Sequence, residues 1–521
     1  MNSTPWLDEE LKACSLSDLY PFHMPGHKRQ HHEPSPVSEA EQIDITEIEG
    51  FDNLHQSEGI LLAAQERMAS LFQAAQSFFL VNGSTSGILT AVHAATRTGD
   101  RFLIARNCHR SVWHAAMLRR VRCDTISPME TESGIQGSID PQQLHDLLER
   151  AARENDPYSA VLITSPTYDG VLSDIAAIAS CAHAFGIPLI VDEAHGAHLG
   201  FYPGTQKAIS CGGDYVIESL HKTLPALTQT AVLHLADSPY VSGDRVRRYL
   251  AVFQTSSPSY VLMASMDRCT RILTERGAAL FRDYDLRLQD FYRFAKSLKR
   301  VAVLSPGKGP GIYDREPSKI LIRVLPADPF AENDRSKQEL QNGAYLLHWF
   351  RETHHLVMEM AAGPYVTALT SVMDTDEGFS RLKDALSDLD RLAGARSSSG
   401  AFPPPKPESR SAGSDTVSLS GLAAHRPALS CRTHPTDRRA VLEIYEAVEQ
   451  ESHLLPLSES AGAVSAEFVG LYPPGIPLLV PGERITADVV SRLCAAIDAG
   501  TTVTGLESAE DGTLMLRTLC I

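Results

Sequence analysis

Between about residues 59 and 235, short unbroken apolar runs alternate with segments of helix length. The runs are "SFFLVNG" (77–83), "RFLIARN" (101–107), "SAVLITSPTY" (159–168), "PLIVDEAHG" (188–196) and "DYVIESLHK" (214–222), and most end in small or polar residues. Such strands, separated by crossover-length segments, predict a mainly parallel α/β sheet with helices on both faces. The segments 140–155 ("DPQQLHDLLERAAREN") and 173–185 ("SDIAAIASCAHAF") carry Asp or Ser near their starts and apolar residues three and four apart, so both are predicted crossover helices. A longer helical pattern over 261–300 leads out of this unit. A second unit follows, with strands around "SKILIRVL" (318–325) and "LVMEMAAGPYVTALTSV" (356–372) and a helix at "DEGFSRLKDALSDLDRLA" (376–393).

At 521 residues, the chain exceeds what one hydrophobic core usually organises. The patterns divide it into an N-terminal segment (1–50), a large unit (51–300), a small α/β unit (301–395), a flexible linker (396–425) and a C-terminal α+β unit (426–521). The linker is rich in Ser, Pro and Gly and poor in apolar residues. No internal repeat is visible.

Composition narrows the function. The chain has 43% hydrophobic and 21% charged residues, as ordinary globular proteins do. A net charge of −17, from 47 basic and 64 acidic residues, argues against general nucleic-acid binding. No apolar run approaches the roughly 18 residues of a membrane span, and the N-terminus lacks a basic start followed by an apolar stretch, so no membrane association and a cytoplasmic location are expected. The nine cysteines show no CxxC pair or zinc spacing, so reduced thiols are expected.

Three features sit where a parallel sheet gathers ligands, at the carboxyl ends of its strands. "PLIVDEAHG" delivers Asp192 and His195 just after a buried run, although a turn capped by an aspartate would explain this pair alone. "SFFLVNG" leads into "GSTSG", where Gly83 and Gly87 allow close backbone approach and Ser84, Thr85 and Ser86 offer hydroxyls near a helix start. That composition suits a phosphate, because helix N-terminal amides favour an anion. "ESLHKTLP" places Lys222 beside His221 in a polar dip between apolar runs. A lysine at one strand end and an aspartate at another, about thirty residues before it, with a phosphate cradle, fit pyridoxal 5'-phosphate: the amine takes the aldehyde and the carboxylate pairs with the ring nitrogen.

At this point the sequence resembles the ornithine/lysine/arginine decarboxylase family of pyridoxal-phosphate enzymes. The resemblance rests on "FHMPGHK" (22–28), "VNGSTSG" (81–87), "NCHRSVWHA" (107–115), "SPTYDG" (165–170), "VDEAHGAH" (191–198), "LHKTLPALTQT" (220–230), "QTSSPSYVLMASMD" (254–267) and "YPPGIPLLVPGE" (472–483), in family order along nearly the whole chain. It implies the aspartate-aminotransferase (fold type I) architecture, with a seven-stranded type of large sheet. It also implies roles. Lys222 would carry the cofactor, Asp192 would keep the ring nitrogen protonated, and His109 would stack on the ring. Ser84, Thr85 and Ser86 would bind phosphate with Ser219 and His221, while Ala194, His195 and Thr167 would line the pocket. Ser256 or Ser257 would reach the phosphate of a neighbouring subunit, implying a homodimer or larger homo-oligomer. Because "FHMPGHK" begins at residue 22, the short form without an N-terminal receiver-like domain is expected.

The implied reaction is decarboxylation of arginine, lysine or ornithine, with Lys222 or His221 returning a proton to Cα. Glu467 and Glu483 are candidates, by charge and location, for reading the substrate's distal cation. Alternatives are another fold type I reaction, such as transamination or elimination, or a silent regulatory relative. Metal sites at His23 and His27, or at Glu193, His195 and His198, and a Cys108 nucleophile are disfavoured. The acidic stretch 44–55 is read as a polar loop or an active-site rim.

Overall fold

The computed structural model describes residues 5–17, 38–326, 339–395, 440–471, 475–498 and 502–521. The expected linker, "FHMPGHK" with His23 and His27, and the first three residues of "YPPGIPLLVPGE" lie outside the described residues.

The large sheet has seven strands: β1 (Gln76–Leu80), β2 (Arg101–Ala105), β3 (Arg122–Ile126), β4 (Tyr158–Thr164), β5 (Leu189–Asp192), β6 (Tyr215–Glu218) and β7 (Ala231–Leu235). Their spatial order is β1-β7-β6-β5-β4-β2-β3, and only β7 runs against its neighbours. Strands β3 and β7 add to the five apolar runs that the pattern picks out. β3, "RCDTI", is a half-buried edge with polar positions, so it carries no unbroken apolar run.

The period-2 alternation of each strand serves two cores. Phe102, Ile104, Leu162, Ile190 and Ile217 pack beneath Ile88, Val92 and Val112 of the helices Gly83–Ala95 and Arg110–Arg119. Leu103, Val161, Ile163, Leu189, Val191 and Val216 face Leu144, Leu148 and Ile178 of the helices Pro141–Arg153 and Ile175–Ala184. Asp140 and Asp174 cap these two helices by accepting hydrogen bonds from the backbone N–H groups of Gln142 and Ala177. Both crossover helices therefore form where the sequence predicts them.

The 36-residue helix Tyr260–Ala295 joins the large sheet to the next unit. Its Met263, Met266, Leu273, Phe281 and Leu288 pack with Leu7 and Leu11 of the N-terminal helix and with Ile320, Ile322 and Val366 of a second, antiparallel sheet. That sheet is ordered Met360–Ala362, Tyr365–Leu369, Lys319–Val324, Val301–Val303. No described helix is long and apolar enough to cross a membrane.

The C-terminal residues form two three-stranded sheets with the helix Ala487–Asp498, around Leu479, Val489, Leu493 and Leu516. A buried clamp ties them to the end of β2. The Arg106 guanidinium donates to the carbonyls of Pro477 (2.8 Å) and Leu478 (2.9 Å) and pairs with Glu483 at 3.2 Å. Glu483 also accepts the Val480 N–H at 3.1 Å. Removing one partner of a buried pair strands the other charge, at a cost of about 3–5 kcal/mol. Glu483→Ala should therefore lower unfolding stability by roughly 3 kcal/mol, measured by chemical denaturation, whereas a Glu149→Ala control, which removes only a solvated i,i+4 pair with Arg153, should change it little.

Candidate active site

The carboxyl ends of β5 and β6 open into a cavity of about 750 Å³. Its wall includes Ser84, Thr85, His109, Thr167, Asp192, Ala194, His195, Ser219, His221 and Lys222. Residues from across the large unit thus meet at one place. Asp192 ends β5, as expected. Lys222 lies four residues beyond β6, in the single helical turn Leu220–Thr223, rather than at the strand end itself. The buried Leu220 anchors this turn, Leu224 N–H closes it on Leu220 O at 2.9 Å, and Pro225 prevents its continuation.

The Lys222 Nζ lies 3.0 Å from His195 Nε2. Burial pushes the amine below the ordinary lysine value of 10.5; Asp192 and Glu359 oppose this, and Lys319 reinforces it. Burial, then the Lys222 and Lys319 charges, drive His195 well below its usual range, so its imidazole is neutral. His109 is pushed down to about 4, mainly by burial and then by Lys222. Its Nδ1 accepts the Ser111 N–H at 3.2 Å, capping the helix Arg110–Arg119 and fixing the ring. Burial raises Asp192, while Lys222 and the Ala194 N–H, at 3.2 Å, favour its carboxylate. His221 donates from Nδ1 to Thr230 O at 2.9 Å.

The other end of the cavity suits an anion. Gly83 adopts φ +75°, a turn that favours glycine, and Asn82 gives the following helix no side-chain cap. The first-turn N–H groups thus keep their capacity for a ligand, beside Ser84 and Thr85. The Ser219 hydroxyl and Asn107 Oδ1 are buried without a hydrogen-bond partner, and both residues line the same cavity. A buried amine, a carboxylate, a fixed neutral ring, an uncapped helix start and an orphaned serine hydroxyl on one cavity wall together fit a phosphorylated aromatic aldehyde.

Three expected residues do not line this chain's cavity, two of which, Ser256 and Ser257, were expected to serve a neighbouring subunit. Ser86 is buried and its Oγ donates to Gly83 O at 2.8 Å, so its hydroxyl stabilises the turn. Ser256 and Ser257 are exposed in the loop after the helix Gly243–Phe253 and do not line this chain's cavity. The two acidic candidates for the distal cation are also placed differently: Glu483 is held by Arg106, and Glu467 accepts the Phe468 N–H at 2.8 Å. Neither lines the cavity.

Glu193, His195 and His198 do not converge. Glu193 accepts the Ala208 N–H, His195 meets Lys222, and His198 pairs with Glu316 at 3.3 Å. The Cys108 thiol is buried and pushed up by that burial, which removes it as a thiolate. Within 44–55, Asp52 accepts the Glu58 and Gly59 N–H groups and His55 bonds Thr255 O at 2.8 Å, making the stretch a hydrogen-bonded loop.

Sequence reasoning missed several wall residues. Glu359 and Tyr365 come from the second sheet and its approach, and Arg492 from the C-terminal helix. Tyr168 belongs to the "SPTYDG" motif, but nothing local assigns it a task. Its ring lies 4.5 Å from that of His195, and its hydroxyl donates to Glu359. Lys319 reaches the site from behind: its Nζ pairs with Glu316 at 2.6 Å and donates to His195 O at 2.7 Å.

A family model for the major domain of Orn/Lys/Arg decarboxylases matches residues 5–327, and the model for their C-terminal domain matches 433–517. The chain belongs to the Orn/Lys/Arg decarboxylase family. This decarboxylase is 30% identical to an arginine decarboxylase of Bacillus subtilis, over 98% of this chain and 96% of that protein. It is 24% identical to the constitutive lysine decarboxylase of Escherichia coli, over 99% of this chain and 82% of the relative. Its fold matches a lysine decarboxylase crystal structure from Francisella novicida with a TM-score of 0.78 at 19% identity, covering 99% of this chain and 81% of that one. The large sheet of this decarboxylase accordingly has the fold type I architecture.

Because burial favours the uncharged amine, Lys222 should react with aldehydes at lower pH than exposed lysines do. Borohydride trapping of pyridoxal phosphate on the cofactor-free protein, mapped by mass spectrometry across pH, should give Lys222 a labelling midpoint below 10.5 and below those of exposed lysines.

Proposed function

We propose that this enzyme binds pyridoxal phosphate at Lys222 and decarboxylates a basic amino acid, arginine, lysine or ornithine, to agmatine, cadaverine or putrescine. The observation that carries this reading is the buried Lys222 amine, 3.0 Å from His195, in one cavity with Asp192 and an uncapped helix start. The names of the relatives make arginine and lysine the first substrates to test.

The cofactor supplies a sink for the electron pair left at Cα when carbon dioxide departs. Asp192 would hold the proton on the ring nitrogen, which its buried carboxylate favours over bulk water. His109, neutral and fixed by Ser111, would present its ring face without adding charge. Ser84, Thr85, Ser219 and the N–H groups of the helix start would take the phosphate, with Ser86 contributing its backbone. His195, at hydrogen-bond distance, would exchange a proton with Lys222 Nζ, and Lys222 or His221 would return one to Cα.

The reading extends to a homodimer with shared sites. Ser256 and Ser257 are exposed and remain outside their own chain's cavity, which supports a contribution to the partner's phosphate.

Purified protein incubated with pyridoxal phosphate and each of the three amino acids should release carbon dioxide and the matching amine from at least one, read by mass spectrometry. No amine from any of them sinks the proposal. Lys222→Ala should lose the visible absorption of lysine-bound cofactor and at least about a thousandfold in kcat, since an amine nucleophile and proton carrier is removed. Mixing Lys222→Ala with Ser256→Ala/Ser257→Ala should restore part of the activity in hybrid dimers, and inactive hybrids of verified composition would rule against shared sites.

A further inference from the structure

Selectivity for a basic side chain requires an anion at the far end of the cavity, and the wall narrows the choice. Among the described residues, three carboxylates line it: Asp169, Asp192 and Glu359. Asp192 shares its end of the cavity with the Lys222 amine. Asp169 is buried, accepts the Tyr365 hydroxyl at 2.8 Å, and is raised by that burial, which favours its neutral form. Glu359 differs from both. It is exposed at the cavity, one oxygen accepts the Tyr168 hydroxyl, and the other accepts no hydrogen bond among the described residues.

Its position is fixed twice. The Glu359 N–H donates to Thr367 O at 2.9 Å, extending the ladder of the second sheet. Tyr168 then holds the carboxylate while its ring leans on His195 at 4.5 Å, and His195 meets Lys222 at 3.0 Å. Two side chains, Tyr168 and His195, therefore span from the reactive amine to Glu359. Arg492 places positive charge on the same wall and disfavours a second cation near it.

We propose that Glu359, oriented by Tyr168, is the residue that reads the distal cation of the substrate, which rests on the function proposed above. An ammonium or guanidinium there would pair with the unused carboxylate oxygen, and the incoming side chain would cover the pair from water. Tyr168 is a positioning residue: its hydroxyl sets the direction of that oxygen.

The test compares wild type, Glu359→Gln and Tyr168→Phe as holoenzymes on whichever basic amino acid is turned over. Two competitive inhibitors are included, the dication cadaverine and the monocation pentylamine. Glu359→Gln should raise KM and the cadaverine inhibition constant by about tenfold, as expected for loss of a charged hydrogen bond. It should leave pentylamine inhibition within about twofold and the cofactor absorption unchanged. Tyr168→Phe should shift the same ratio in the same direction, by less. Equal shifts for both inhibitors, or a fall in kcat at unchanged KM, would overturn the role of Glu359 while the decarboxylase reading stands. A wild-type protein that turns over none of the three amino acids overturns that reading itself, and this inference with it.

Discussion

Burying the amine of Lys222 without losing it to an ion pair is the constraint on which the rest of the structure depends. A lysine whose charge was fully matched would stay an ammonium and could not attack an aldehyde. Here the opposing carboxylate of Asp192 lies at the end of a strand, while the amine's hydrogen-bond partner is the nitrogen of a neutral histidine. A second cation, Lys319, is fixed behind that histidine and tips the balance further toward the free amine. Lys319 is itself affordable because burial alone would raise Glu316, yet Lys319 and His198 more than offset this and keep its carboxyl well below the ordinary range.

The fold meets this constraint by distributing the work. Strands β5 and β6 deliver Asp192 and the Lys222 turn from a dry interior, with side chains of opposite parity filling the two cores. The helix starts at Gly83 and Arg110 bring amide donors and His109 from another part of the sheet. The second sheet supplies Lys319 and Glu359, and the C-terminal helix supplies Arg492.

Most of the parallel sheet and the amine end of the site were legible in the sequence, because unbroken apolar strands and the polar residues just beyond them are local signals. Asp192, Lys222, His109, Ser84 and Thr85 do line one cavity. What was not legible was non-local or masked by polarity. β3 is a polar edge, and β7, "AVLHL", read as an apolar run beside the lysine, not as the antiparallel strand between β1 and β6. Glu359 and Tyr168 are 191 residues apart and meet only because two sheets dock. Glu483 shows the reverse: charge and position in a motif suggested a ligand contact, and the fold uses it to neutralise Arg106.

The Arg106 clamp also bears on what happens to an unfinished or nicked chain. Arg106 follows β2 directly, three residues before His109, and its partners sit at residues 477, 478 and 483. A fragment lacking the last fifty residues would keep Lys222, Asp192 and His109, yet it would lose every partner that the Arg106 guanidinium has in the C-terminal unit. Such a fragment would loosen the segment between β2 and the helix Arg110–Arg119, which holds His109. Loss of the C-terminal unit would thus be felt beside the site even where the chain keeps its large sheet.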